Sequence, residues 1–380
     1  MRITIVIAGL GGGGAERITV NLANAWATRG YQPTILTISQ HSRPSAYTID
    51  AAVILRDIGW RRVATDDELN AFVVDPILHG LQSNGCNELI TDLTLLALLR
   101  NAILDTAPDV VVSLIDRTNV RVLAAVANLN LPVIVCEVTD ARRVLFRGLQ
   151  RARDVFYRQA AAVVAPDPVI AKWFAARGAR ATAIHNPLVA PVALVPVNNG
   201  SRRRVVTLSR LSIEKRADWL LRAFASIADG FPDWDLEIYG LGPQRNTLEH
   251  LAEDLAPPGR IRICGFSKDP YRVLAGADVF VSASWVEGFG NAIWEAMACG
   301  VPVIAMEAGP SVRRIVRHGI DGVIVSQNSV GGLAVALERL LHDEVERKNF
   351  AARAPEVVNR FSMPAALKQW DALLAPFHTR

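Results

Sequence analysis

The chain has 380 residues, of which 51% are apolar and 21% charged, with 41 Lys and Arg against 37 Asp and Glu; this excludes a disordered chain and is long for one hydrophobic core, so two domains are expected. A net charge of +4 gives no global reason to expect nucleic acid as a partner. Cys86, Cys136, Cys264 and Cys299 form no C-x-x-C pair and no Cys/His cluster, and no apolar run matches a signal segment or a bilayer span, so zinc, a disulfide framework and secretion are set aside and a soluble, cytoplasmic chain is expected.

Short Val/Ile/Leu runs alternate with helical patterns from the start. Ile3–Ala8, Thr34–Ser39, Val110–Leu114, Val133–Cys136 and Ala161–Ala165 read as strands buried on both faces, which implies parallel sheets. The first helix carries Ile18, Leu22, Ala25 and Trp26 on one face and stops at Gly30. Residues VPVNNGSRRR read as a linker, and beyond it the alternation resumes. Strands are expected at Val205–Leu208, Leu236–Tyr239, Ile261–Cys264, Val279–Ser282, Val303–Ala305 and Val323–Val325, making a second doubly wound α/β domain. Near the end, Ser362 and Pro364 look like a cap and a first-turn proline, and Met363, Leu367, Trp370, Leu374 and Phe377 form an apolar stripe that needs a surface to cover.

The first strand runs into GLGGGGAERI, where Gly9, Gly11 and Gly14 satisfy G-x-G-x-x-G. A glycine-rich turn at a helix N-terminus offers unpaired N–H groups to any anion, so the pattern indicates phosphate before it indicates a dinucleotide. A dinucleotide site also wants an acid at the tip of the second strand, where this chain has Thr37-Ile38-Ser39-Gln40. An NAD(P)-dependent oxidoreductase is therefore an alternative that the missing acid argues against.

The most specific stretch is SWVEGFGNAIWEAMACGVPVIA, Ser284 to Ala305. Periodicity predicts a helix from about Asn291, with Gly288–Gly290 at its positive end and Glu295 about one turn in. Carboxylates such as Glu287 and Glu295 are unfavourable for a neighbouring anion, so they are expected to accept hydrogen bonds from the hydroxyls of a sugar or ribose.

At this point the chain resembles the retaining glycosyltransferases of the GT-B fold, in the large E-x(7)-E group described as family 4-like or glycosyl transferases group 1. The resemblance rests on GGGGAERITVNLANAWATRGY, LSRLSIEKRADWLLRAF, YGLGP, CGF and EGFGNAIWEAMACGVPVIA, and it covers nearly the whole chain. It implies two Rossmann-like domains facing a central cleft: an acceptor domain over 1–195, a nucleotide-sugar domain over 196–360, and a C-terminal helix over 361–380 packing back on the first.

The same resemblance implies a nucleotide-diphosphate sugar as co-substrate, a glycan or lipid-linked (polyprenyl diphosphate) glycan as acceptor, and a role in cell-surface polysaccharide or glycoconjugate biosynthesis. Arg210 and Lys215 stand where an Arg and a Lys neutralise the diphosphate, and no metal or other cofactor is then expected. Glu287 would face the donor sugar, Glu295 the ribose, and the Gly288, Phe289 and Gly290 amides, with Asn291, would hold sugar or phosphate oxygens. Gly240 and Gly265 fall in matching donor-side turns. Gly11, Gly12, Gly13 and Gly14 would approach the diphosphate or reacting sugar, bare because any Cβ would occupy substrate space.

Three departures stand out. Glu137 occupies the place of a histidine common in the family and is inferred to face the reacting carbon; the usual Lys-Gly is Lys215-Arg216; and Arg314 stands for a usual acid. His185 and Asn186 resemble the segment that closes the first domain. Asp140 to Ala160 carries Arg142, Arg143, Arg147, Arg151, Arg153 and Arg158 among Leu145, Phe146, Leu149, Phe156 and Tyr157. A basic amphipathic helix there could grip an acceptor phosphate or lie on an anionic membrane, which would place the protein peripherally at the inner face; a solvated helix face is the alternative. A non-catalytic sugar-binding protein on the same fold is a third functional reading.

Overall fold

The computed structural model describes residues 1–39, 44–59, 93–141, 147–190, 202–326 and 329–378. They form two compact units: Met1–Leu188 with Met363–Arg380, and Val189–Ser362. Most of the expected linker, up to Ser201, lies outside the described residues.

The first unit is built on β1 (Arg2–Ile7), β2 (Gln32–Thr37), β3 (Ile54–Asp57), β4 (Val110–Leu114), β5 (Val133–Cys136), β6 (Ala162–Ala165) and β7 (Ala181–Ala183). All pair in parallel, in the order β3-β2-β1-β4-β5-β6-β7. Strand order reverses at β1 and β4, where Ile3 lies between Pro33 and Val110. Because side chains alternate across a strand, Ile3, Ile5 and Ile7 enter one core with the first helix, Gly14–Thr28, while Val6 enters another with Leu93–Leu104, Asp116–Ala125 and Pro168–Ala175. Burial on both faces is what makes these strands continuous apolar runs.

Sequence periodicity does not reveal β3 and β7. Both are sheet edges, and β3, sequence ILRD, is exposed at every position. An edge strand with one neighbour has no need of an unbroken apolar run.

The C-terminal helix, Met363–Leu374, belongs to the first unit. Ala366, Leu367, Trp370 and Leu374 join the Ile3 core, and the Trp370 indole meets Trp26 edge to face at 5.4 Å. Arg29 pairs with Asp371 at 2.6 Å beside it.

The second unit repeats the plan with β8 (Arg203–Leu208), β9 (Trp234–Tyr239), β10 (Ile261–Gly265), β11 (Val279–Ser282), β12 (Val303–Met306) and β13 (Gly322–Val325). The order is β10-β9-β8-β11-β12-β13, again all parallel, and it reverses between β8 and β11. Val205, Leu236, Ile238, Val279 and Val281 face the core under helices Ala217–Ala225 and Val330–His342. In open parallel sheets of this kind, ligands bind outside the carboxyl ends of the strands at the reversal of order.

Candidate active site

The second unit carries its candidate residues at that reversal. After β8 the chain runs through Arg210 into the 3-10 turn Ile213–Lys215; after β11 it runs through Trp285 and Glu287 to the helix Asn291–Ala298. Lys215 and Glu287 meet as an ion pair at 2.6 Å, with their side chains 23% and 16% exposed. The Trp285 amide donates to the Glu214 carbonyl at 2.7 Å, so two loops whose paired residues Lys215 and Glu287 are 72 positions apart are joined by backbone as well as by charge. Arg210 is exposed on the first of these loops, where its charge acts on the Glu214 carboxylate of the same loop.

The adjoining turns brace this loop. Leu211 donates to the Leu241 carbonyl and accepts from the Gln244 amide, both at 2.9 Å, and Gly240 donates to Gly265 at 2.8 Å. Gly240 has φ +148°, and a Cβ there would fall within the Ser209 carbonyl. The glycine expected to serve the donor is thus required by the close approach of two backbone turns. Gly240→Ala is expected to cost about 2–5 kcal/mol, since strained φ and overpacking add; urea unfolding of the second unit measures it, and a change under 1 kcal/mol would show that the turns can separate freely.

The EGFG stretch folds as its sequence suggests. Gly290 caps the helix with φ +95° and ψ +52°, and Asn291–Ala298 follows. Glu295 lies in the second turn and is 4% exposed. The Glu287 amide donates to Ala308 at 2.9 Å, and the Ser311 hydroxyl donates to Gly288, so the loop after β12 holds the turn from behind. Phe289 is 2% exposed with its ring edge to face on Phe361 at 5.3 Å; only its backbone is placed to serve a ligand. Arg314 lies over the same Phe361 ring at 5.4 Å. A cavity of about 530 Å³ borders the Ser212–Ala217 segment on the side of helix Arg245–Leu255, but none of Arg210, Lys215, Glu287 or Glu295 lines it.

In the first unit, Gly11–Gly14 follows β1 as expected, and Gly14 opens the helix. Gly12 has φ +110°, which a side chain disfavours; a Cβ at Gly13 would meet the Glu16 carboxylate, folded back over the turn, and a Cβ at Gly11 would point into open space. Glu16 complements the positive end of its own helix and competes with an external anion there.

Glu137, after β5, is 3% exposed. Tyr157 donates a short hydrogen bond to its carboxylate, and Asn119 donates to Tyr157 at 2.9 Å and to the Cys136 carbonyl at 3.0 Å. Burial, with the Glu137 carboxylate next to it, holds the Tyr157 phenol well above its usual pKa, so it stays a donor. Sequence reading placed Tyr157 only in the basic amphipathic stretch, missing its bond to Glu137, and missed Asn119, which carries no motif. His185 and Asn186 are both buried at the end of this unit, with Asn21 donating to Pro187 at 2.8 Å.

Only part of the expected basic helix falls among the described residues. Arg142 and Arg143 lie outside the described residues, as does the Arg147 side chain, and the helix spans Arg147–Phe156. Arg151 is exposed, but Arg153 is fully buried, donating to Ala141 and Gln150 with its guanidinium 5.1 Å from the Trp173 ring centroid. The helical period puts it on the same face as Leu149 and Phe156. Among the described residues no His, Cys, Asp and Glu group is arranged to hold a metal ion, and no helix is long and apolar enough to cross a membrane.

Two family models divide the chain at its unit boundary: the glycosyl transferase 4-like domain matches residues 13–187, and glycosyl transferases group 1 matches residues 195–357. The chain belongs to these glycosyltransferases. It is 32% identical over 202 residues to an exopolysaccharide phosphotransferase of Streptomyces coelicolor, a match that takes in 53% of this chain and spans only 21% of that protein. It is 24% identical over 380 residues, 99% of this chain and 98% of the other, to the Campylobacter jejuni GalNAc-alpha-(1->4)-GalNAc-alpha-(1->3)-diNAcBac-PP-undecaprenol alpha-1,4-N-acetyl-D-galactosaminyltransferase. A crystal structure of Staphylococcus aureus TarM, in complex with fondaparinux, alpha-GlcNAc-glycerol and UDP, matches the whole of both chains with a TM-score of 0.81 at 12% identity. At that identity the likeness speaks for the fold, GT-B, two Rossmann-like units in one chain.

Proposed function

We propose that this protein is a retaining glycosyltransferase that moves a sugar from a nucleotide-diphosphate sugar to a glycan or lipid-linked glycan, in cell-surface polysaccharide or glycoconjugate biosynthesis. The observation that carries the reading is the Lys215–Glu287 pair at the β8/β11 reversal, with Arg210 on the same loop as Lys215 and the Gly288–Gly290 turn next to Glu287. Fixed cations at such a place stabilise the negative charge that grows on a departing diphosphate. A carboxylate already paired to a cation accepts sugar hydroxyls without repelling that diphosphate as strongly as a lone one would.

In this reading Arg210 and Lys215 take the leaving group without a metal, Glu287 orients the donor sugar and Glu295 the ribose. Attack comes from the face the leaving group departs, and the leaving phosphate takes the acceptor proton, which preserves the anomeric configuration. The first unit holds the acceptor, with Glu137 as its carboxylate and Tyr157 fixing the orientation of that group. The UDP in the TarM complex favours a uridine donor, and the undecaprenol-linked substrate in the Campylobacter protein's name favours a lipid-linked acceptor.

A panel of UDP-, GDP-, ADP- and dTDP-sugars tests the donor: one at 100 times its Kd raises stability by about 2.7 kcal/mol, read as a thermal shift. Glu295→Gln is expected to weaken that donor about tenfold, because a charge-assisted hydrogen bond becomes a neutral one. Absence of a shift from every nucleotide-sugar would overturn the proposal. Donor binding with neither transfer nor hydrolysis would favour a sugar-binding protein instead.

A further inference from the structure

We propose that Arg216 is a positioning residue for this transfer: its guanidinium seats the Trp285 loop on the Lys215 loop and so sets the Lys215–Glu287 pair. The inference rests on the function proposed above. Its observations lie in the second unit alone.

Arg216 ends the 3-10 turn Ile213–Lys215 and caps the helix Ala217–Ala225 with φ +49° and ψ +38°, the left-handed region. Glycine takes that conformation freely, whereas a side chain is strained in it. Strain of this kind persists where the surroundings hold it and is concentrated at functional positions. At Arg216 the surroundings are specific. The guanidinium carbon lies 4.2 Å from the Trp219 ring centroid and 5.7 Å from the Trp285 ring centroid, and Nη2 lies 3.3 Å from Asp218. Its Nε–H is buried and donates no hydrogen bond, so ring contact and the Asp218 charge hold the group.

Three consecutive residues therefore connect to one short segment. Glu214 accepts from the Trp285 amide, Lys215 pairs with Glu287, and Arg216 reaches the Trp285 indole. Backbone, charge and cation–π contact together fix one loop on the other. Arg216→Gly would relieve the backbone and keep the first two contacts, but it would remove the Arg216 guanidinium from the Trp285 ring, which is 44% exposed. The Lys215–Glu287 pair would then be seated by two of the three contacts and held less tightly, and preorganised groups lose much of their effect when displaced by an ångström.

The test is a double-mutant cycle of Arg216→Gly and Trp285→Ala, with Arg216→Lys and Trp285→Phe as conservative variants, assayed on the donor selected by the panel. Arg216→Gly is expected to lower kcat about tenfold with KM for the donor within about twofold. Its melting temperature should stay level or rise, because the left-handed backbone suits glycine. A purely structural residue would instead lower kcat and melting temperature together. The double variant should be no slower than Arg216→Gly alone, and Arg216→Lys and Trp285→Phe should each recover part of the rate.

An unchanged kcat in Arg216→Gly, or additive losses in the double variant, would overturn the proposal. The contact itself is read without turnover: Arg216→Gly should alter tryptophan emission in the wild-type background and less so with Trp285→Phe. An equal change in both backgrounds removes the contact from the argument even if the enzyme transfers sugar. A wild-type protein that turns over no nucleotide-sugar defeats the parent reading, whatever the emission shows.

Discussion

Lys215→Ala lowers kcat by about 10²–10³-fold, the expected result of removing one preorganised group that stabilises charge developing in the transition state. The ion pair it breaks is partly exposed, 23% and 16% for the two side chains, so folding stability changes by about 1 kcal/mol or less. Loss of rate without loss of fold is the signature of a cation that acts on the leaving group. Lys215→Arg keeps the charge but not its position and recovers only part of the rate. Steady-state kinetics on the chosen donor, with a melting curve for each variant, measures both. A Lys215→Ala enzyme within threefold of wild type would show that the diphosphate is stabilised elsewhere and would remove the centre of the proposed mechanism.

Trp370→Ala destabilises the first unit by about 3–5 kcal/mol, the range for deleting a buried aromatic side chain whose space does not collapse. The indole is 2% exposed, meets Trp26 edge to face, and lies in the same core as Ile3, Ile5 and Ile7. The helix that carries it follows the second unit in sequence but belongs to the first. The variant should therefore lower the urea midpoint of the first unit's transition and leave the second unit's where it was. Two transitions followed separately are needed, because a chain of two units does not unfold in one step by default. A shift confined to the second unit's transition would place the helix wrongly.

These outcomes bear on residues that the sequence exposes to very different degrees. The inner strands are legible because they are buried on both faces and so read as unbroken apolar runs, Val110–Leu114 and Val279–Ser282 without a residue of error. The start of the helix at Asn291 was legible too, since the Gly-Phe-Gly turn before it and the apolar period after it agree. Arg153 was not. Its type signals a surface, and only its place on the core face of a short helix, under Trp173 and Phe174, takes it inside. Tyr157 and Asn119 gave no signal, because a hydrogen-bonded pair separated by 38 residues leaves no pattern in either neighbourhood.

The glycines divide along the same line. That a turn had to bend at Gly240 or at Gly12 follows from the residue type, but what crowds each turn does not: a Ser209 carbonyl would meet any Cβ at Gly240, and a Glu16 carboxylate lies over the neighbouring Gly13.

By itself, the order of residues determined two doubly wound α/β units, the turn and helix that carry Glu287 and Glu295, and the family, because periodicity, helix caps and glycine turns act over a few neighbours. The folded chain alone decided which distant groups meet: Lys215 with Glu287, Tyr157 with Glu137, Arg216 with Trp285, and Trp370 with Trp26. Such contacts depend on how strands order themselves in a sheet and how helices settle on its faces, and that geometry is set by packing across the whole unit.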